Sequence, residues 1–159
     1  MPSSSYCLSQ IQNCEQQIRT CESDLQKEKE ILDGRLNASA CYKRYVSDYE
    51  EEIAMKRKQA DNLSSFAGKS VFAKRYSENM KDTLWGTPYQ NNMEQLYCMQ
   101  KKIADEIQKT DNRINELRQR LVSLNSELQS WKSQYSEAVR REAEEAALAA
   151  QKASSGGKK

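Results

Sequence analysis

Apolar residues recur along the first part of the chain in alternating steps of three and four. With heptad position a placed at Ile11, this pattern holds from about residue 5 to about residue 67. Such spacing is typical of a helix that packs one stripe against another helix, and not of a strand. Position a reads Ile11, Ile18, Leu25, Leu32, Ser39, Val46, Ile53, Ala60, Ala67, and position d reads Cys7, Cys14, Cys21, Glu28, Arg35, Tyr42, Tyr49, Lys56, Leu63. We therefore predict a first helical arm over about 5–67, with N-caps available at Ser3, Ser4 and Ser5.

The stripe of this first arm is weakest from Glu28 to Ser39. Charged Glu28 and Arg35 occupy d positions, and Gly34 lowers the local helix propensity. The pattern favours a bend or loose packing in this stretch, which would cover less of a facing helix than its neighbours do.

A second heptad run begins at Met93 and predicts a second arm over about 89–150. Its strongest stretch extends from Ile103 to Trp131, and alanine and charged residues follow from Arg140. Position a reads Met93, Gln100, Ile107, Ile114, Leu121, Leu128, Tyr135, and position d reads Leu96, Ile103, Thr110, Leu117, Leu124, Trp131, Ala138. Residues 154–159 read as a disordered polar tail after a single helical domain over 1–153.

The segment 68–88 between the arms predicts a short third helix and a turn. Val71, Phe72, Tyr76, Met80 and Leu84 recur at helical spacing, so this helix should fold its apolar face onto the tip of a hairpin. A turn follows at Trp85-Gly86-Thr87-Pro88, with a positive φ at Gly86, Thr87 as N-cap and Pro88 in the first helical position. The predicted fold is all-α: an elongated, coiled-coil-like antiparallel hairpin with a Trp-Gly turn at the tip.

Reversal of the chain near residue 78 would give this hairpin a definite register. The expected facing pairs are Ile53 with Ile103, Tyr42 with Ile114, Leu32 with Leu124, and Leu25 with Trp131. Truncation of a buried seam leucine such as Leu121 or Leu124 is then expected to cost about 2–5 kcal/mol.

Charge and hydropathy narrow the classes of partner. The chain has 25 basic and 23 acidic residues that are mixed along its length, so it lacks the basic stripe that nucleic-acid binding needs. No stretch approaches the roughly 20 apolar residues that span a bilayer, and the N-terminus lacks the basic and apolar regions of a signal peptide. We expect a cytoplasmic protein without membrane insertion.

The residues that usually carry chemistry are few. Histidine is absent, which removes the commonest general base and metal ligand. The five cysteines are odd in number and have no C-x-x-C spacing, and Cys7, Cys14 and Cys21 are expected to pack as small seam residues in preference to forming crosslinks between chains. We predict no enzyme activity, no cofactor and no metal.

The sequence Leu84-Trp85-Gly86-Thr87-Pro88-Tyr89, followed by a long amphipathic helix, resembles the WXG superfamily of helical-hairpin proteins of type VII (Esx) secretion in Gram-positive bacteria. Ser5-Tyr6-Cys7-Leu8-Ser9-Gln10-Ile11 and the chain length resemble the small helical proteins encoded beside LXG polymorphic toxins. That resemblance implies an adaptor that binds the helical LXG domain of a toxin, together with a second small helical protein. It also implies export with that toxin on a signal that the partner supplies.

Two interpretations of the pattern remain open. One is this secretion adaptor, and the other is a self-associating structural coiled coil, such as a homodimer, with no client. Trp85 and Tyr45 either pack within the chain or contact a partner, whereas Trp131 is expected in the seam. The predicted packing and partner-binding residues are Trp85, Gly86, Tyr89, Tyr45, Ile103, Ile107, Ile114, Leu117, Leu121, Leu124, Leu128 and Trp131.

Overall fold

The described residues of the computed structural model, 2–66, 68 and 70–155, form helices and no strand. The helices are α1 (Ser4–Phe66), α2 (Val71–Trp85) and α3 (Thr87–Ser155). The all-α class is confirmed. Position 67 of the first arm and positions 156–159 of the predicted tail lie outside the described residues, whereas positions 154 and 155 of that tail belong to α3.

Helix α1 begins with the serine cap that the sequence predicted. The Tyr6 backbone N–H donates to Ser3 Oγ at 3.4 Å, and the Cys7 N–H donates to the Ser3 carbonyl at 3.1 Å. The helix then continues through Gly34 without interruption. A glycine inside a long helix lowers its stability but does not end it when neighbouring turns hold the hydrogen-bonded ladder.

The junction between α2 and α3 differs from its prediction in two respects. The Gly86 carbonyl accepts a hydrogen bond from the Gln90 N–H at 3.2 Å, so Gly86 holds the N-cap position and Thr87 is already helical. The predicted positive φ at Gly86 is wrong, because its φ is −84°. Glycine is required here for space instead, since a Cβ would clash with the carbonyl oxygen of Asp82.

Contacts divide the chain into two compact units, each containing part of α1 and part of α3. Unit 1 comprises Met1–Lys29 and Asn112–Lys159, and unit 2 comprises Glu30–Asp111. The prediction of one domain over 1–153 stays a prediction.

In unit 1 the two helical segments run antiparallel. Glu142 Oε1 accepts from the Ser4 N–H at 2.8 Å, and the Sγ of Cys21 lies 3.5 Å from the Leu117 carbonyl oxygen. Two clusters fill the seam between these contacts. The first contains Ile11, Cys14 and Leu128 with Ile18, Trp131 and Tyr135, and the second contains Cys21, Leu117 and Leu124 with Ile18, Leu25 and Leu121.

The three heptad-spaced cysteines belong to this seam, as predicted. Cys7, Cys14 and Cys21 are buried and free. Burial raises the pKa of the Cys14 thiol, and the negative charge of Glu127 raises it further. Small cysteine side chains give this end of α1 an apolar stripe that α3 can approach closely.

In unit 2 both α2 and α3 run antiparallel to α1. Successive contacts join Ser64 to Ser77 at 2.8 Å, Arg57 to the Leu84 carbonyl at 2.7 Å, and Tyr42 to the Leu96 carbonyl at 3.3 Å. From Ser64 back toward Tyr42, α1 therefore contacts first α2 and then α3. Because α2 already packs against α1, the Trp85-Gly86 junction, predicted as the turn at the tip, is a bend within the segment that runs antiparallel to α1.

The predicted register is wrong by about two heptads, or roughly 14 residues. Tyr42 contacts Leu96 instead of Ile114, and Ile53 packs with Leu84 instead of Ile103. In unit 1, Leu25 packs on Cys21, Leu117 and Leu124 and not on Trp131, which belongs to the other cluster. These three pairs differ from the prediction because α2 packs along α1 and does not cap a tip near residue 78.

The apolar face predicted for α2 is also only partly correct. Met80 and Leu84 pack against Ile53 and Ala60 of α1, as the spacing indicated. Val71 and Phe72, however, are 78% and 79% exposed. The helix instead buries Ser77, whose hydroxyl pairs with that of Ser64.

Leu124→Ala is expected to lower the free energy of unfolding by about 2–5 kcal/mol, since Leu124 is only 6% exposed within its cluster. Leu121 is half-buried, so its truncation should cost less than the sequence predicted. The control is Val122→Ala, at a side chain 71% exposed, which should change stability by within roughly 0.5 kcal/mol. Urea unfolding followed by circular dichroism measures all three, and equal midpoints for Leu124→Ala and Val122→Ala would contradict this seam.

Glu142→Gln should destabilise the protein at neutral pH and have less effect in acid. The Ser4 hydroxyl and backbone N–H donate to this carboxylate at 2.6 and 2.8 Å and hold its pKa below the usual value. A lowered pKa stabilises the fold above the unfolded-state pKa, and that stability is lost as the pH falls through the folded-state pKa. Melting temperatures of wild type and variant should therefore converge below about pH 4. An exposed carboxylate on the same helix, changed in Glu137→Gln, is the control, and a pH-independent difference would count against this cap.

Candidate partner-binding surface

The seam is incompletely filled where α1 has polar residues at core positions. Every residue from Glu22 to Tyr45 is described, and none of them is buried. On α3 in unit 2, Ile103 and Ile107 are only half-buried, although they begin the strongest apolar stretch of the sequence. Apolar surface therefore remains on α3 in this region.

A polar cluster occupies the seam at this point. Arg35 donates to the Glu106 carbonyl at 2.8 Å and to the Thr110 hydroxyl, and its guanidinium lies 3.0 Å from the Glu106 carboxylate. Thr110 is 2% exposed and also donates to the Glu106 carbonyl at 3.0 Å. The polar d residues Arg35 and Thr110 thus form a hydrogen bond with each other across the helix pair.

The charges around this cluster support one another. A hydrogen bond from Lys109 and its positive charge lower the pKa of Glu106, burial opposes that shift, and Arg35 adds to it. The same hydrogen bond, with the charge of Glu106, raises the pKa of Lys109. Glu106 and Lys109 both stay charged at neutral pH, so Arg35 faces a carboxylate in the seam.

Beside this cluster, one side of unit 2 carries a groove that we call the tyrosine groove. It is lined by Tyr42, Tyr45 and Tyr49 of α1 and by Asn92, Gln95, Leu96 and Met99 of α3. The rings of Tyr42 and Tyr45 are 6.2 Å apart, and the Tyr45 and Met99 side chains are 57% and 45% exposed. Tyrosine rings and the flexible Met99 thioether, beside the amide side chains of Asn92 and Gln95, form an apolar surface that can adapt to a partner.

A second depression shares Met99 with the tyrosine groove and reaches the polar cluster. It is lined by Arg35, Ala38, Met99, Lys102, Ile103 and Glu106. Ala38 contributes only a methyl group to this lining. From Arg35 to Tyr49 the two depressions together follow α1 for roughly 20 Å, the length of about four helical turns.

Exposed large apolar side chains are unevenly distributed among the described residues. Unit 2 has twelve of them and unit 1 has five. The five of unit 1 are Tyr6, Leu8, Val122, Val139 and Leu148. Surface of this kind marks binding sites when it is contiguous, so unit 2 is the better candidate.

Trp85 and Tyr89 lie apart from the tyrosine groove, on either side of Gly86. The Arg57 guanidinium lies 4.3 Å from the Tyr89 ring centroid and 5.2 Å from that of Trp85. Arg57 also donates two hydrogen bonds to the Leu84 carbonyl. Trp85 is 37% exposed, so it covers Arg57 and still offers an edge to solvent.

The nine sequence-predicted site residues other than Trp85, Gly86 and Tyr89 separate into two sets. Ile114, Leu117, Leu124 and Leu128 are buried in unit 1, and Leu121 and Trp131 pack beside them. Trp131 also meets the Tyr6 ring edge-on at 5.9 Å. These six residues hold the helix pair together, whereas Tyr45, Ile103 and Ile107 retain exposed surface in unit 2.

Met99, Asn92 and Gln95 were not predicted as site residues. Met99 follows the seam residue Leu96 by three positions, which places it on the flank of the stripe, beside the position where Tyr45 lies on α1. The sequence does show that positions flanking the stripe are apolar on both helices. Placing Met99 beside Tyr45 from that pattern requires the correct register.

No known protein family, no curated protein and no solved structure matches this chain. Among the described residues, no helix is both long enough and apolar enough to cross a membrane.

Proposed function

We propose that this chain is a non-enzymatic adaptor that binds a partner helix in the tyrosine groove of unit 2. The observation that carries the proposal is the groove itself, in which Tyr45 and Met99 remain 57% and 45% exposed beside a half-buried Ile103. A helix with an apolar stripe would cover these side chains and complete a bundle of three helices. The absence of histidine from the sequence favours binding over catalysis.

The proposal includes the arrangement of the whole chain as one elongated antiparallel hairpin. The antiparallel contacts within each unit support it, as does the continuous heptad pattern of α1 and α3. Two helices paired in this way bury one stripe each, which leaves the flanks of the stripes available to a further helix.

The proposed client is the N-terminal helical domain of an LXG-type toxin, whose export by type VII secretion the chain would assist. Support for this client comes from the Trp85-Gly86 sequence and from the pattern Ser5–Ile11, which resemble small helical proteins encoded beside such toxins. A long helical domain has the geometry that the groove requires. A second small helical protein would occupy another flank of the same bundle.

Truncation of the groove should weaken this complex. The double variant Tyr45→Ala/Met99→Ala is expected to raise the dissociation constant for the N-terminal domain of an adjacently encoded LXG toxin by roughly 30-fold, because it removes two central apolar contacts. Isothermal titration calorimetry of the two purified proteins measures this change.

The matched control is Tyr97→Ala/Met55→Ala, which removes the same residue types at 53% and 64% exposure elsewhere in unit 2. It should bind like wild type. Absence of any complex, together with a homodimer that the Tyr45→Ala/Met99→Ala variant dissociates, would establish the structural coiled coil in place of the adaptor.

A further inference from the structure

The end of unit 2 where α1 meets α2 carries the most exposed apolar side chains of the described chain. Leu63 and Phe66 are the last large apolar residues of α1, and Val71, Phe72 and Tyr76 are the first of α2; we call these five residues the tip patch. Their exposed fractions are 41%, 61%, 78%, 79% and 49%. The hydroxyl contact between Ser64 and Ser77 brings the two helices together beside them. The patch is independent of the tyrosine groove and shares no residue with it.

Side chains as exposed as Val71 and Phe72 protrude from the surface and do not line a groove. A partner helix is bound by a concave surface between two helices, as the tyrosine groove provides. Protruding aromatic and aliphatic groups at the end of a helix pair are instead suited to entering the boundary between lipid headgroups and acyl chains. The protruding shape of the tip patch therefore favours a flat, deformable binding partner over a helix.

The charge around the tip patch identifies the kind of surface. Between Leu63 and Tyr76, the limits of the tip patch, the sequence has three basic residues and no acidic one, in a chain whose net charge is +2. The rest of the chain therefore has an excess of one negative charge. Lys74 and Arg75 are exposed and lie within roughly 6 Å of Val71 and Phe72 along the helix axis. The first turn of α2 contains no acidic residue.

We infer that the tip patch binds the surface of an anionic lipid bilayer. Phe72, Val71 and Phe66 enter the headgroup region, and Lys74 and Arg75 pair with lipid phosphates while their aliphatic stems remain in the apolar boundary. The remainder of the chain, which is slightly acidic, stays in water. Binding of this kind holds the protein on a membrane without a spanning helix.

Co-sedimentation of the full chain with vesicles tests this inference. The wild type should bind vesicles that contain equal parts of phosphatidylglycerol and phosphatidylcholine, and should bind pure phosphatidylcholine at least about tenfold more weakly. Val71→Ser/Phe72→Ser and, separately, Lys74→Gln/Arg75→Gln should each reduce binding to the anionic vesicles by roughly tenfold. Because these side chains are exposed, far-UV circular dichroism and the melting temperature should stay as in wild type.

The matched control is Met55→Ser/Val122→Ser, which removes apolar side chains of similar exposure away from the tip patch and should bind like wild type. Three results would overturn the inference: no binding of wild type to anionic vesicles, equal binding to both vesicle types, or equal losses in the tip and control variants. Self-association that only Val71→Ser/Phe72→Ser abolishes, without vesicle binding, would assign the patch to a second copy of the chain.

Discussion

The pairing of Arg35 with Thr110 and Glu106 is the interaction on which the arrangement of unit 2 depends. Heptad patterns alone allow two helices to slide past each other by whole heptads and still face apolar residues. A polar residue in the seam removes this freedom when only one register gives it acceptors. If the chain reversed near residue 78, Arg35 would face Leu121, which offers no side-chain acceptor. In the observed register it reaches a hydroxyl, a carbonyl and a carboxylate.

This register also explains the candidate binding surface. Arg35, Ala38 and Ser39 provide little apolar cover, so Ile103 and Ile107 remain half-buried opposite them. The residues on the flank then stay exposed, and the tyrosine groove forms beside the polar cluster. Specificity of pairing and availability of apolar surface thus have a common origin in the polar core positions of α1. In unit 1, where small cysteines occupy those positions, the seam is filled and fewer large apolar side chains are exposed.

The sequence was sufficient to predict the helical class, the Ser3 cap, the buried cysteines and the weak stretch from Glu28 to Ser39, because each depends on local spacing and composition. The register and the reversal near residue 78 were predicted wrongly, since they depend on which polar groups meet across the seam. The signal was present: Arg35 and Thr110 are both polar residues at d positions, and pairing them gives nearly the observed register. The exposure of Val71 and Phe72 was missed because α2 was expected to cap the tip, whereas it packs alongside α1.

Photo-crosslinking from position 42 tests the role of Arg35 most directly. With p-benzoylphenylalanine in place of Tyr42, trypsin cleavage after Lys101 and Arg113 separates the peptide that contains Leu96 from the one that contains Ile114. We expect adducts on the Leu96 peptide in the otherwise wild-type chain, and on both peptides in Arg35→Leu/Thr110→Leu, where the seam no longer distinguishes the two registers. Adducts confined to the Leu96 peptide in that variant would show that the polar pair does not set the register.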